Sequence, residues 1–143
     1  MKVREFDKYL CNKYPDLFRE RNLPMSQTCM CNGISCEEGW QKTIEELSDI
    51  LVFLQKCLGV EIVAKQVKEK LGTLRFYWDI VVDDTNKDID LARVRRAIGS
   101  VVSYYENRTE HICEFCGKYG NLCTTKTGWK KTLCSEHKEE KTI

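Results

Sequence analysis

The sequence predicts an α+β fold: helices packed on a small antiparallel sheet, followed by a carboxy-terminal module of different construction. Three observations carry this reading. Trp40, Ile44, Leu47, Leu51, Leu54 and Leu58 recur at three, four and seven, the stripe of an amphipathic helix. Leu74, Phe76, Trp78, Ile80 and Val82 alternate, which puts five large apolar residues on one side of a strand. From Arg108 onward aliphatic residues thin out, while four of the nine cysteines and both histidines gather. Burying a helix stripe and a strand face in one core requires both layers.

The elements follow in order. Val3, Phe6, Leu10 and Tyr14 lie on one helical face between Lys2 and Tyr14, and Pro15 ends that helix. Asn22 to Gly39 holds Pro24, Gly33 and three cysteines with little periodicity, so it reads as an irregular loop. The strongest helix begins at Trp40 and stops at Gly59. A β-branched run from Val60 to Val67 pairs with the strand from Thr73 to Val82, and Lys68-Glu69-Lys70-Leu71-Gly72 joins them as a hairpin. After the polar turn Asp83 to Lys87, Asp88 caps a helix carrying Leu91, Val94, Ile98, Val101 and Tyr105 on one face. Residues 1–107 form the α+β core domain and 108–143 the appended module.

The 143 residues, 42% hydrophobic and 31% charged, suffice for a core that needs no disulfides. The longest apolar run, Ile50 to Leu54, is far short of the roughly 20 residues that cross a bilayer, and Met1-Lys2-Val3-Arg4-Glu5-Phe6-Asp7 is charged where a signal peptide is apolar. The chain therefore reads as cytoplasmic, without a membrane partner. A formal charge of +1 supplies no global field for nucleic acid or anionic lipid, so any anion site is local. In a reducing cytosol, clustered cysteines point to metal or catalysis rather than to disulfides.

Cys113-Glu114-Phe115-Cys116-Gly117 is a C-x-x-C turn, and Cys134-Ser135-Glu136-His137 repeats the spacing. Zn²⁺ takes four tetrahedral thiolate or imidazole ligands, and the x-x spacing lets each pair straddle one turn of backbone. Cys113, Cys116, Cys134 and His137 are the expected ligands, with Cys123 and His111 as alternatives to His137. Four protein ligands make a closed, structural site. Lys130 to Leu133 reads as a strand and Ser135 to Glu140 as a short helix bearing His137, an order that is treble-clef-like, with a plain ribbon as the alternative. A second group, Cys29, Cys31 and Cys36, lacks the x-x spacing. It reads either as packed thiols or as part of a second site completed by Cys11 or Cys57, with a Cys31–Cys36 redox pair as a third option.

Outside the metal set, the most distinctive segment runs from Gln66 to Trp78. With Leu74, Phe76 and Trp78 facing the core, Arg75 and Tyr77 share the opposite face, near Lys68 and Lys70. Such a cationic and aromatic surface binds phosphate by charge and stacks a base on a ring. The bland alternative is a solvated hairpin whose lysines keep an edge soluble. Lys130 and Lys131, beside Trp129, are further candidates in a module whose formal charge is +2, from Arg108 and six lysines against five glutamates. Arg93, Arg95 and Arg96 read as an ordinary charged helix surface. Phosphate-cradling glycine loops, His-Glu-x-x-His, Gly-x-Ser-x-Gly and His-x-Glu signatures are all missing, so general-base chemistry would fall to Glu37, Glu38 or Glu69.

Three motifs taken together, Cys36-Glu37-Glu38-Gly39-Trp40, Gln66 to Tyr77, and Cys113-Glu114-Phe115-Cys116-Gly117 with Gly128-Trp129, Thr132-Leu133-Cys134 and His137, are familiar. The chain resembles a family of small, largely uncharacterised proteins of bacteriophages, prophages and bacteria, over about Cys29 to His137. The family pattern has Cys-Gly-Asp-Gly-Trp where this chain has Cys36-Glu37-Glu38-Gly39-Trp40. The resemblance implies a phage or mobile-element origin and agrees with the zinc ligands. The resulting expectation is a non-enzymatic zinc-containing binding protein that interferes with host nucleic-acid processing or defence. Its partner would be a nucleic acid or a host protein. The alternatives are sequestration of a nucleotide-like immune signal between aromatic walls such as Trp40, Tyr77, Trp78 and Tyr105, or an enzyme acting on such a ligand.

Overall fold

The computed structural model describes residues 1–141, with side chains up to position 138. Helix α1 (Val3–Lys13) leads through short helical turns to a two-residue strand β1 (Ile34–Ser35). Helix α2 (Gln41–Leu58) and the hairpin β2 (Glu61–Lys70) and β3 (Thr73–Val81) follow, then helix α3 (Leu91–Arg108). The chain continues into β4 (Asn121–Thr124), β5 (Lys130–Leu133) and helix α4 (Ser135–Lys141). The architecture is α+β, and α2 and α3 pack on the sheet and on each other. Their stripes meet the strands in one core that includes Trp40, Ile44, Leu47, Leu51, Val67, Leu74, Phe76, Ile98 and Tyr105.

The main sheet is mixed rather than wholly antiparallel. Its order is β1-β2-β3, and β1 runs parallel to β2 with Ile34 opposite Val67 and Ser35 opposite Lys68. A parallel neighbour two residues long leaves no alternation for a sequence to display. The hairpin turn is also tighter than the five residues expected. Lys68 and Lys70 belong to β2, and the reversal is made by Leu71 (φ 53°) and Gly72 (φ 85°), the two positive φ values of a type I′ turn. Helix α3 is capped by Asp90, whose side chain accepts from the Arg93 N–H, rather than by Asp88. At the end of β3, Val82 lies beyond the strand and is exposed.

Both edges of this sheet are covered. On the β2 side, the Ala64 N–H donates to the Leu17 carbonyl at 2.8 Å, just before β1 takes over the pairing. On the β3 side, side chains do the work. The Phe76 N–H donates to Glu106 Oε1 (2.8 Å) and the Leu74 N–H to Thr109 Oγ1 (3.0 Å), both acceptors supplied by the end of α3 and the turn after it. A bulge between Ala64 and Gln66 reverses the parity of β2, so Ile62 and Ala64 face the core before it and Val67 after it. Lys65, at the bulge, is ion-paired to Glu20.

Among the described residues, no helix is long and apolar enough to cross a membrane.

Candidate metal centre

The module after α3 is built as a knuckle, a hairpin and a helix. Cys113 and Cys116 lie on a turn closed by the Gly117 N–H donating to the Cys113 carbonyl (2.9 Å), and Gly117 takes the positive φ of 77° that this bend needs. The hairpin β4–β5 brings the chain back, antiparallel, to Cys134. Helix α4 then begins at Ser135 and presents His137 within its first turn. The ligand-bearing helix makes the order treble-clef-like and distinguishes it from a plain ribbon.

The four donor atoms converge. Sγ of Cys113, Cys116 and Cys134 and a ring nitrogen of His137 all lie within 4.8 Å of one another. Cys116 and Cys134 Sγ are 3.6 Å apart, while His137 Nδ1 is 3.2 Å from Cys134 Sγ and 3.5 Å from Cys113 Sγ. An ion with Zn–S and Zn–N bonds of ordinary length at tetrahedral angles separates its ligands by about 3.5 to 3.8 Å. The donor set and its spacing therefore fit Zn²⁺. The His137 backbone N–H draws the Cys134 thiol down to about 6, toward the thiolate a metal binds. Cys116 is pushed up to about 11, by burial first and then by the neighbouring thiols, a crowding that a cation would relieve.

The alternative ligands lie elsewhere. The His111 ring stacks on Tyr119 at 5.9 Å, and Cys123 Sγ donates to the Lys131 carbonyl. Among the described residues, Cys29, Cys31 and Cys36 join no set of donors within reach of one ion. Cys36 is buried, and burial first, then the Glu114 carboxylate, pushes its thiol well above the usual range, which disfavours redox chemistry.

The knuckle is seated on the core by the motif that precedes α2. The Gly39 N–H donates to the Glu114 carbonyl (2.6 Å), and the Trp40 indole N–H to the Ile112 carbonyl (2.8 Å). A Cβ on Gly39 would lie 2.1 Å from the Cys113 carbonyl oxygen. Only glycine permits that approach, which explains the Gly-Trp pair in physical terms. The hairpin is tied in as well: Thr132 Oγ1 donates to the Gly72 carbonyl (2.8 Å), and Lys131 reaches Glu69 (3.2 Å) and Glu114 (2.9 Å). The three sequence motifs thus converge on a single junction. In sequence Glu69 and Glu114 look like surface glutamates, so nothing local marks them as the carboxylates of this junction, and Glu69, a general-base candidate by residue type, is an ion-pair partner of Lys131.

The candidate anion-binding residues divide. Lys68 stands directly opposite Arg75 in the β2–β3 register, with Lys70 opposite Thr73 and Tyr77 opposite Gln66, on the face opposite to the buried Leu74 and Phe76. Lys68, Lys70 and Arg75 have no carboxylate within ion-pairing distance among the described residues, and Tyr77 is exposed. Lys130 donates to Thr124 Oγ1 (2.8 Å) and remains exposed, its backbone beside the Gly72 turn. Lys131 is different: two carboxylates hold it, so it belongs to the junction. Of the proposed aromatic walls, Trp40 and Tyr105 are buried core residues, Trp78 is half-buried against the core, and Tyr77 alone is exposed.

No protein-family model, curated protein or solved structure matches the chain.

Proposed function

We propose that the chain is a non-enzymatic, zinc-containing binding protein that takes nucleic acid on the outer face of its hairpin. The carrying observation is the Lys68–Arg75 cross-strand pair. Like charges directly opposite one another on an antiparallel ladder are destabilising, and here neither forms a close ion pair, although the Glu106 carboxylate attracts Arg75 at longer range. A polyanion laid across the strands relieves that repulsion. Lys70 and Lys130 extend the positive edge toward the turn, and Tyr77 offers a ring for stacking.

Zinc has a structural part in this reading. Cys113, Cys116, Cys134 and His137 would hold it, and a bound ion would fix the module against which the hairpin tip is set through Gly72, Glu69 and Lys131. The resemblance to phage and prophage proteins gives the task a context, interference with host nucleic-acid processing or defence. The test is binding to single- and double-stranded oligonucleotides over a salt series. The logarithm of affinity should fall linearly with the logarithm of salt, and K68A/R75A should weaken binding and shallow the slope by about 1 to 2. An unchanged slope in that variant would refute the assignment.

A further inference from the structure

On the other side of β1, helix α1 and the segments of Arg21 and Gly33 line an open concavity of about 580 Å³, a volume within the range of small-molecule sites. Arg4, Lys8 and Arg21 line it, as do Asn12 and Asn22. The charges are arranged at a cost. Arg4 and Lys8 stand one turn apart on α1, a like-charged spacing that weakens a helix. Arg4 also sits in the first turn, where the helix dipole disfavours a cation. Among the described residues neither has a carboxylate partner.

The one acid in the wall, Asp7, is already committed. Its Oδ2 accepts from Arg21 Nε at 2.8 Å and its Oδ1 from the Ile34 N–H at 3.3 Å. Arg21 also donates through Nη1 to the Cys31 carbonyl (2.8 Å), so its guanidinium is held in place with Nη2 uncommitted. The side-chain amides of Asn12 and Asn22 have no hydrogen-bond partner among the described residues and are left as donors. A fixed guanidinium, two unpaired cations and two free amides around one concavity answer to a compact dianion. No aromatic ring lines the cavity, so a base-stacking site is not what it offers.

We infer that this cavity is a binding site for the phosphate group of a small phosphate monoester. The site is separate from the hairpin face and stands or falls independently of it. Charge-assisted hydrogen bonds from arginine and lysine to phosphate are among the strong ones, so the exposed pair on α1 should carry much of the affinity.

The experiment is calorimetric titration of the full chain at low ionic strength with inorganic phosphate, glycerol phosphate and adenosine monophosphate, and with an oligonucleotide bearing a terminal phosphate. The expected result is one site per chain for at least one of the three small probes. R4A/K8A should lower that affinity by roughly tenfold or more, and K68A/R75A should leave it unchanged. Alanine suits both helical positions, and a melting temperature equal to or above that of the parent chain will show the double variant to be folded. Failure of all three small probes overturns the inference. So does equal binding by R4A/K8A, equal weakening by K68A/R75A, or binding of the oligonucleotide alone.

Discussion

Lys131 Nζ lies 2.9 Å from Oε2 of Glu114, a carboxylate whose side chain is only 1% exposed. Burial raises the proton affinity of that carboxyl, and the ammonium acts against it. Glu114 lies between two cysteines of the candidate metal site and its carbonyl accepts from the Gly39 N–H, so the ion pair sits at the point where knuckle, α2 and hairpin meet. Replacing Lys131 by methionine keeps the length and removes the charge. The variant should lose about 3 to 5 kcal/mol of stability, the cost of stranding a buried charge. Urea unfolding near neutral pH measures it, and a loss below about 1 kcal/mol would show that Glu114 finds another partner or takes up a proton.

Gly39→Ala tests the seat of the knuckle. The added methyl group meets the Cys113 carbonyl at 2.1 Å, which neither side can accommodate without moving backbone. A destabilisation of about 3 kcal/mol is expected, together with weaker metal retention in competition with a chromophoric chelator. Normal metal retention alongside lost stability would mean that the knuckle assembles without its seat.

Zinc removal should act beyond the module. The full chain purified gently should carry one zinc per molecule by native mass spectrometry, and Cys113→Ser or Cys134→Ser should lose it. Chelation should lower the melting temperature and speed amide exchange at Leu74, whose N–H is held by Thr109 at the start of the module. Exchange that changes in β4 and β5 alone would show the metal to be a purely local fastener.

The acid limb of stability should report on Glu45. Hydrogen bonds from Lys13 first, then from the Tyr9 hydroxyl, hold this carboxyl below the usual range. With the folded value depressed, the unfolded chain binds the proton more readily. The contribution is therefore complete above about pH 5 and is lost as pH falls through the folded value. Glu45→Gln should flatten the dependence of the urea midpoint on pH between about 5 and 3, and an unchanged curve would mean that other carboxylates dominate acid unfolding.

What the sequence makes legible here is chemistry carried by residue type and short spacing. The C-x-x-C and C-x-x-H pairs, the stripe of α2 and the alternation through Leu74, Phe76 and Ile80 each depend on a few neighbouring positions. What stays hidden depends on contacts across the chain. The bulge at Lys65 breaks period two, so no alternation runs through β2. Leu71 occupies a turn position where asparagine or glycine is the usual signal, so a two-residue reversal reads as a longer one. Lys131 resembles its neighbour Lys130 in every local respect, yet one points to solvent and the other to Glu69 and Glu114. Asp88 and Asp90 are equally good caps on paper, and only the geometry of the loop before α3 selects the second.

The side-chain closure along β3 has a consequence for how copies of the chain behave together. Outward N–H groups that are already engaged are withheld from a second molecule's strand, and at Leu74 and Phe76 the engagement rests on one threonine and one glutamate, with Asp79 holding the Ile80 N–H further along. With a formal net charge of only +1, protection against edge-to-edge pairing falls more to these side chains than to charge repulsion. Cutting both side chains back to alanine should convert a self-limited sheet into a seed for ordered, strand-by-strand polymerisation.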